Sequence, residues 1–159
     1  MIPTKVISGM QTGADQAGLY AARIYGIQTG GWATKGFNTE NGPNKKFGLK
    51  YGLIEHNSEK YPGRTFANVK DSTGTIRFAY DFTTGGEILT LRAINQYNRP
   101  HIDININSPL PEVEVVRWIK SNNILTLNVA GNRESTWPGM FDFVSNYLIT
   151  VFVMCRNCS

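Results

Sequence analysis

Three short polar turns in this chain carry the residue types that hold anions. They are Ser8-Gly-Met-Gln-Thr-Gly13 followed by Ala14-Asp15, then Thr83-Thr-Gly-Gly-Glu87, then Asn128-Val-Ala-Gly-Asn-Arg-Glu-Ser135. Glycine lets backbone N–H groups approach a phosphate, and a helix starting just beyond adds partial positive charge. In the first turn the candidates are Gly9, Gln11, Thr12, Gly13 and Asp15, although Asp15 also suits simple complementation of a helix dipole. In the second, Thr84, Gly85 and Gly86 could form an anion-binding nest. The same residues also read as a helix start, with Thr84 as cap and Glu87 as its capping-box partner. In the third, Asn128, Gly131, Arg133, Glu134 and Ser135 combine a guanidinium able to grip phosphate oxygens in pairs with a hydroxyl. Arg133 and Glu134 could equally be surface residues that cap the last helix. None of the turns has the spacing of a dinucleotide fingerprint or the Lys-Ser/Thr of a P-loop.

A fourth group lies in and beside a long glycine-rich stretch. Trp32 offers an aromatic face for a purine or pterin, Lys35 a cation beside Gly36, and Arg64, Asn68 and Asp71 further polar groups. Trp32 could instead belong to the core.

Alternating elements must position these groups. Lys5 to Gly9 reads as a buried strand, and Ala14, Ala17, Gly18, Ala21 and Tyr25 repeat as a helix face small enough to lie close on a sheet. A short second strand is expected around Gly30-Gly31-Trp32. Residues 34–64 show no sustained period and are expected to form a long functional loop, with one helical turn over Thr65 to Lys70. Thr75 to Tyr80, His101 to Ile106 and Ile124 to Val129 read as strands. Helices are expected through Ile88 to Tyr97, from Pro111, and from Pro138 through Leu148. Five strands alternating with helices imply an α/β fold: an open, mostly parallel five-stranded sheet with helices on both faces. Ligands of such sheets bind beyond the carboxyl ends of the strands, where all three turns fall.

The length of 159 residues, 41% of them hydrophobic and 18% charged, is that of one globular domain spanning 1–159. No apolar run is long enough to span a membrane, and a cytoplasmic protein without membrane partners is expected. The net charge of +4 is carried by residues 35–70, where seven basic residues face three acidic ones. So modest an excess suits a small anion, or a lid over one, better than a nucleic-acid duplex. Cys155 and Cys158 lack further ligands for a metal and are expected in a frayed tail, and His56 and His101 stand alone. No metal site and no catalytic residue are assigned.

Taken together, the blocks at 8–15, 30–36 (Gly-Gly-Trp-Ala-Thr-Lys-Gly), 40–43 (Glu-Asn-Gly-Pro), 68–75 (Asn-Val-Lys-Asp-Ser-Thr-Gly-Thr), 84–90 and 128–135 resemble the molybdenum cofactor carrier family. That family sits among the Rossmann-like SLOG proteins, with nucleotide-signal sensors and the Lonely Guy phosphoribohydrolases. The resemblance implies a sheet-edge pocket for a phosphorylated heterocycle and a homo-oligomer, a dimer or tetramer. Met10 and Ala33 stand where the family often has Gly and Cys, which puts a thiol contact to metal in doubt. Aligned on the Lonely Guy motif Pro-Gly-Gly-x-Gly-Thr-x-Glu, Gly85-Gly86 leaves Ile88 at the third glycine and Leu91 at the glutamate. No paired carboxylates in surroundings that raise their pKa are apparent in the sequence.

The expectation is therefore a non-catalytic binder of a phosphorylated small molecule, with no required cofactor. The ligand would be a nucleotide or a pterin such as molybdopterin, the organic part of molybdenum cofactor. One alternative is a sponge that sequesters an ADP-ribose-type immune signal in a viral anti-defence role. Another is a nucleotide N-glycosidase of Lonely Guy type.

Overall fold

The computed structural model describes residues 1–157. Five parallel strands make the central sheet: β1 (Lys5–Ile7), β2 (Gln28–Gly30), β7 (Gly74–Ala79), β8 (His101–Asn105) and β9 (Thr126–Gly131), in the order β2-β1-β9-β7-β8. Six helices accompany it: α1 (Ala14–Ile24), α2 (Lys45–Lys50), α3 (Tyr61–Asp71), α4 (Gly85–Tyr97), α5 (Glu112–Ser121) and α6 (Met140–Asn157). Counted from β9 through β1, β2, β7 and β8, the order matches the first five strands of a Rossmann sheet. The chain therefore follows that topology with its first strand and helix moved to the end. The switch point of the sheet lies between β9 and β7.

Strand alternation divides the two faces. Val6, Ile76, Phe78, Ile104, Leu127 and Val129 point into the main core, where α1, α5 and α6 cover them. On the other face α3 packs against α4 around Val69, Ala93 and Ile94, and the strands present Thr75, Arg77, Asp103 and Asn128. A sheet face this polar must bond its own groups. Asn128 donates to Thr75 Oγ1 at 3.2 Å, and Arg77, in register with Asp103, is held by that carboxylate at 2.8 and 2.5 Å.

The stretch expected as a loop is largely built. Two strand pairs run through it, β3 (Trp32–Ala33) parallel to β6 (Ile54–Glu55) and β4 (Asn38–Thr39) antiparallel to β5 (Gly42–Pro43). They frame a small second core of Met10, Leu19, Ala33, Phe37, Tyr51 and Leu53. The single helical turn expected at Thr65 to Lys70 is the end of the longer α3, which begins with Pro62 in its first turn. Trp32 belongs to this side structure, while β2 of the main sheet ends at Gly30. Cys155 is a fully buried core residue of α6, since that helix runs on past Leu148; Cys158 lies outside the described residues.

The small-residue face of α1 does what its composition predicts. A Cβ on Gly18 would stand 2.6 Å from Cβ of Val129, so the helix rests directly on β9. Replacing Gly18 by valine should force the two apart and lower stability by about 1–3 kcal/mol, despite removing a helical glycine. Urea unfolding of the variant beside the wild type measures this.

Candidate functional site

The turn after β1 is filled by the protein's own carboxylate. Asp15 Oδ2 accepts from the Gln11 N–H at 3.1 Å, and the Gly9 N–H also bonds to this carboxyl. The Met10 N–H goes to Ser8 Oγ at 3.2 Å, that of Thr12 to Gln11 Oε1 at 3.0 Å, and that of Ala14 to the Asn132 carbonyl at 3.3 Å. Arg64, reaching across from α3, lies 3.4 Å from the same Oδ2. Its guanidinium occupies the space above Gly9, where a Cβ would fall 1.6 Å from Nη1. These amides, expected to cradle a ligand phosphate, thus serve internal acceptors.

The turn after β7 is the opposite case. Thr84 stands at the N-cap of α4 but makes no capping bond through its side chain, and among the described residues Gly85, Gly86 and Glu87 have no acceptor for their backbone N–H groups. A Cβ on either glycine would meet nothing within 4 Å, so both face open space. The capping box does not form because Glu87 turns inward instead. It is buried, with Oε2 3.7 Å from Arg77 Nη1, and Oε2 has no hydrogen-bond partner. Arg77 gives Nη1 to the Glu87 carbonyl at 3.1 Å and its other two nitrogens to Asp103, which fixes the start of α4 to the sheet.

The third turn is bound to the first and to the 34–64 segment through Glu40. Its carboxylate accepts from the hydroxyls of Thr12 and Ser135 and from the Ser135 N–H at 3.2 Å, and it lies 4.0 Å from Arg133 Nε. Partial burial works against the charge of Glu40, but the bonds from Ser135 and Thr12, with Arg133 nearby, hold its pKa below the usual range. Glu134 caps α6, accepting from the N–H groups of Gly139 at 2.7 Å and Phe141 at 2.8 Å. Gly13, at φ +75°, lets the two turns touch, because a Cβ there would lie 2.6 Å from the Asn132 carbonyl oxygen.

Between these turns and α3 lies a cavity of about 620 Å³, within the range of small-molecule sites. Of the residues singled out in the sequence, Gly9, Gln11 and Asp15 line it from the first turn, and Arg64 and Asn68 from α3. Thr84, Gly85, Gly86 and Glu87 line it from the second turn, and Asn128, Gly131 and Arg133 from the third. Thr12, Gly13, Glu134 and Ser135 support its wall without lining it.

Trp32, Lys35, Gly36 and Asp71 do not line the cavity. The Trp32 indole N–H donates to Asp71 at 2.8 Å, beside a separate groove of about 150 Å³. Asn68, although on the cavity wall, is bonded through both ends of its amide to the Trp32 backbone. Of the seven basic residues between 35 and 70, Arg64 alone reaches the cavity.

Sequence reasoning missed two residues. Tyr61 is the cavity's aromatic surface. It accepts from Gln11 Nε2 at 3.2 Å and lies under two cations, with the Arg64 and Arg133 guanidinium carbons 5.1 and 5.7 Å from its ring centre. Arg77 was legible as a charge inside an apolar strand, which requires a partner.

Two carboxyls on the cavity wall have raised pKa values, contrary to the expectation of none. Burial pushes Asp15 up to about 6 against the pull of Arg64. Burial pushes Glu87 from its ordinary 4.5 up to about 8; Arg77 opposes this, while Asp15 and Asp103 add to it. Burial outweighs the pull of Arg77, two of whose nitrogens already bond to Asp103.

A five-stranded parallel sheet with this order, and a cavity at its switch point, define a Rossmann-like protein. The chain belongs to the circularly permutated YpsA SLOG family, whose model matches residues 6–152. Among solved structures it is similar to a protein of Syntrophus aciditrophicus named a putative molybdenum carrier protein, with 34% identity over 96% of each chain and a TM-score of 0.85. No curated protein matches it. Among the described residues no helix is long and apolar enough to cross a membrane.

The buried carboxyl of Glu87 makes stability depend on pH. Because its folded pKa lies above 4.5, its contribution is fully present below that value and is lost as pH rises through about 8. Glu87→Gln should therefore be more stable than wild type at pH 9, with the gap closing toward pH 4.5. Melting temperatures of both proteins across this range check the sign.

Proposed function

We propose that the cavity binds a phosphate-bearing nucleotide or pterin and that the protein holds this ligand without transforming it. The observation that carries the reading is the open start of α4. Unbonded backbone N–H groups at Gly85, Gly86 and Glu87 face a cavity that also contains Arg64, Arg133 and Tyr61. Helix-start amides hold the phosphate, the two guanidiniums offset its charge, and Tyr61 offers its ring edge to the heterocycle. Lys35 and Trp32, placed elsewhere, have no part in this arrangement.

The name of the Syntrophus relative supports a molybdenum-containing cargo. Following the sequence resemblance, we take that cargo to be the pterin of molybdenum cofactor and the carrier to be a cytoplasmic dimer or tetramer. Sequestration of an ADP-ribose-type signal needs the same pocket and no acceptor protein. A second reading, hydrolysis of an N-glycosidic bond, is favoured by Asp15 and Glu87, whose surroundings set their proton affinities apart on one wall.

Mass spectrometry of whatever the purified protein releases on denaturation separates these. A pterin supports the carrier and an intact nucleotide supports sequestration. Conversion of an added nucleotide to free base and sugar phosphate would contradict non-catalytic binding. Arg64→Ala with Arg133→Ala should weaken ligand binding at least tenfold, as measured by calorimetry.

A further inference from the structure

Two guanidiniums face the cavity, and each already has a carboxylate of the protein beside it. Arg64 Nη1 lies 3.4 Å from Asp15 Oδ2, and Arg133 Nε lies 4.0 Å from Glu40 Oε2. Both carboxylates are fixed in place, Asp15 by the Gln11 N–H and Glu40 by the hydroxyls of Thr12 and Ser135 and the Ser135 N–H. Among the described residues the other acid or base on the wall, apart from the phenol of Tyr61, is Glu87, which brings no positive charge in either protonation state. Arg77, behind Glu87, is bonded to Asp103 through two nitrogens. The cavity therefore presents cations that are already balanced.

We infer that Asp15 and Glu40 set the charge of the ligand: the cavity takes a singly charged phosphodiester group in preference to a doubly charged terminal phosphate. This rests on the phosphate binding proposed above and deepens it. Attraction to fixed amide dipoles grows in proportion to the ligand's charge, whereas the desolvation that opposes entry grows with its square. A second negative charge thus needs a cation with no carboxylate beside it, and Asp15 and Glu40 leave none. A helix start supplies only about half a positive charge, which suits one negative charge better than two. Partial burial opposes the charge of Glu40, but Ser135, Thr12 and Arg133 keep its pKa below the usual range, and burial raises Asp15 only to about 6. Both counter-charges are therefore in place at pH 7.5.

The test uses the full chain at pH 7.5 and a pair of base-free probes: dimethyl phosphate, with one negative charge, and methyl phosphate, with close to two. Dissociation constants are read from chemical shifts of the Gly85 and Gly86 amides. Unaltered protein should bind dimethyl phosphate at least as tightly as methyl phosphate. Glu40→Gln should swing the ratio of the two constants toward methyl phosphate by at least about threefold, because a charge beside Arg133 is removed. Comparing ratios between the two proteins cancels whatever the extra methyl group contributes, and a merely structural role for Glu40 would weaken both probes alike. The comparison in unaltered protein stands by itself if the variant does not fold. Tighter binding of methyl phosphate by unaltered protein, or an unchanged ratio in folded Glu40→Gln, would overturn the charge assignment while leaving the phosphate site intact. If neither probe moves these amides, the charge assignment and the phosphate site fall together.

Discussion

A buried carboxylate at the start of α1 governs the arrangement of this site. Asp15 draws the N–H groups of Gly9 and Gln11 toward itself and brings Arg64 from α3 to within 3.4 Å. Because Arg64 must pass over Gly9, that position has no room for a side chain. Arg64 in turn lies against Tyr61, whose ring also meets Arg133 from the third turn. One internal anion thus gathers two cations and an aromatic ring at the sheet edge. It also uses the turn that would otherwise be available to a ligand anion.

The permuted topology has a similar consequence. In Rossmann order the helix after the first strand presents its start to a phosphate. Here that strand is β9 and that helix is α6, but Glu134 bonds the N–H groups of Gly139 and Phe141. With the turn before α1 taken by Asp15, the first N–H groups of α1 bonded to backbone carbonyls and the start of α6 capped by Glu134, the open helix start beside the switch point is that of α4. Arg77 holds it there from within the sheet, at the cost of a buried ionic cluster that leaves Glu87 short of a partner. Such groups cost stability.

The main sheet was legible because its strands are apolar runs and its helices keep their period, as in Ala14 to Tyr25. The strand order was not, since permutation leaves every local pattern unchanged. The paired elements within 34–64 escaped notice because strands of two residues have no period, and α3 was obscured by Pro62 and Gly63 in its first turn. The three glycine turns did converge, yet their sequences could not show which amides were already bonded. Trp32 beside Lys35 suggests a stacking site, but its indole N–H is taken by Asp71. The excess positive charge at 35–70 contributes one residue, Arg64, to the cavity; as a whole it marks the outer surface of the segment that Glu40 fastens down.

The central claim is that α4, and not the turn after β1, supplies the anion site. Backbone amide spectra recorded while inorganic phosphate and then adenosine diphosphate are added test it most directly. The account predicts large shifts at Gly85 and Gly86, with Gln11 and Thr12 nearly still because their N–H groups remain on Asp15 and Gln11. Large shifts at Gln11 and Thr12 with α4 unmoved would contradict it.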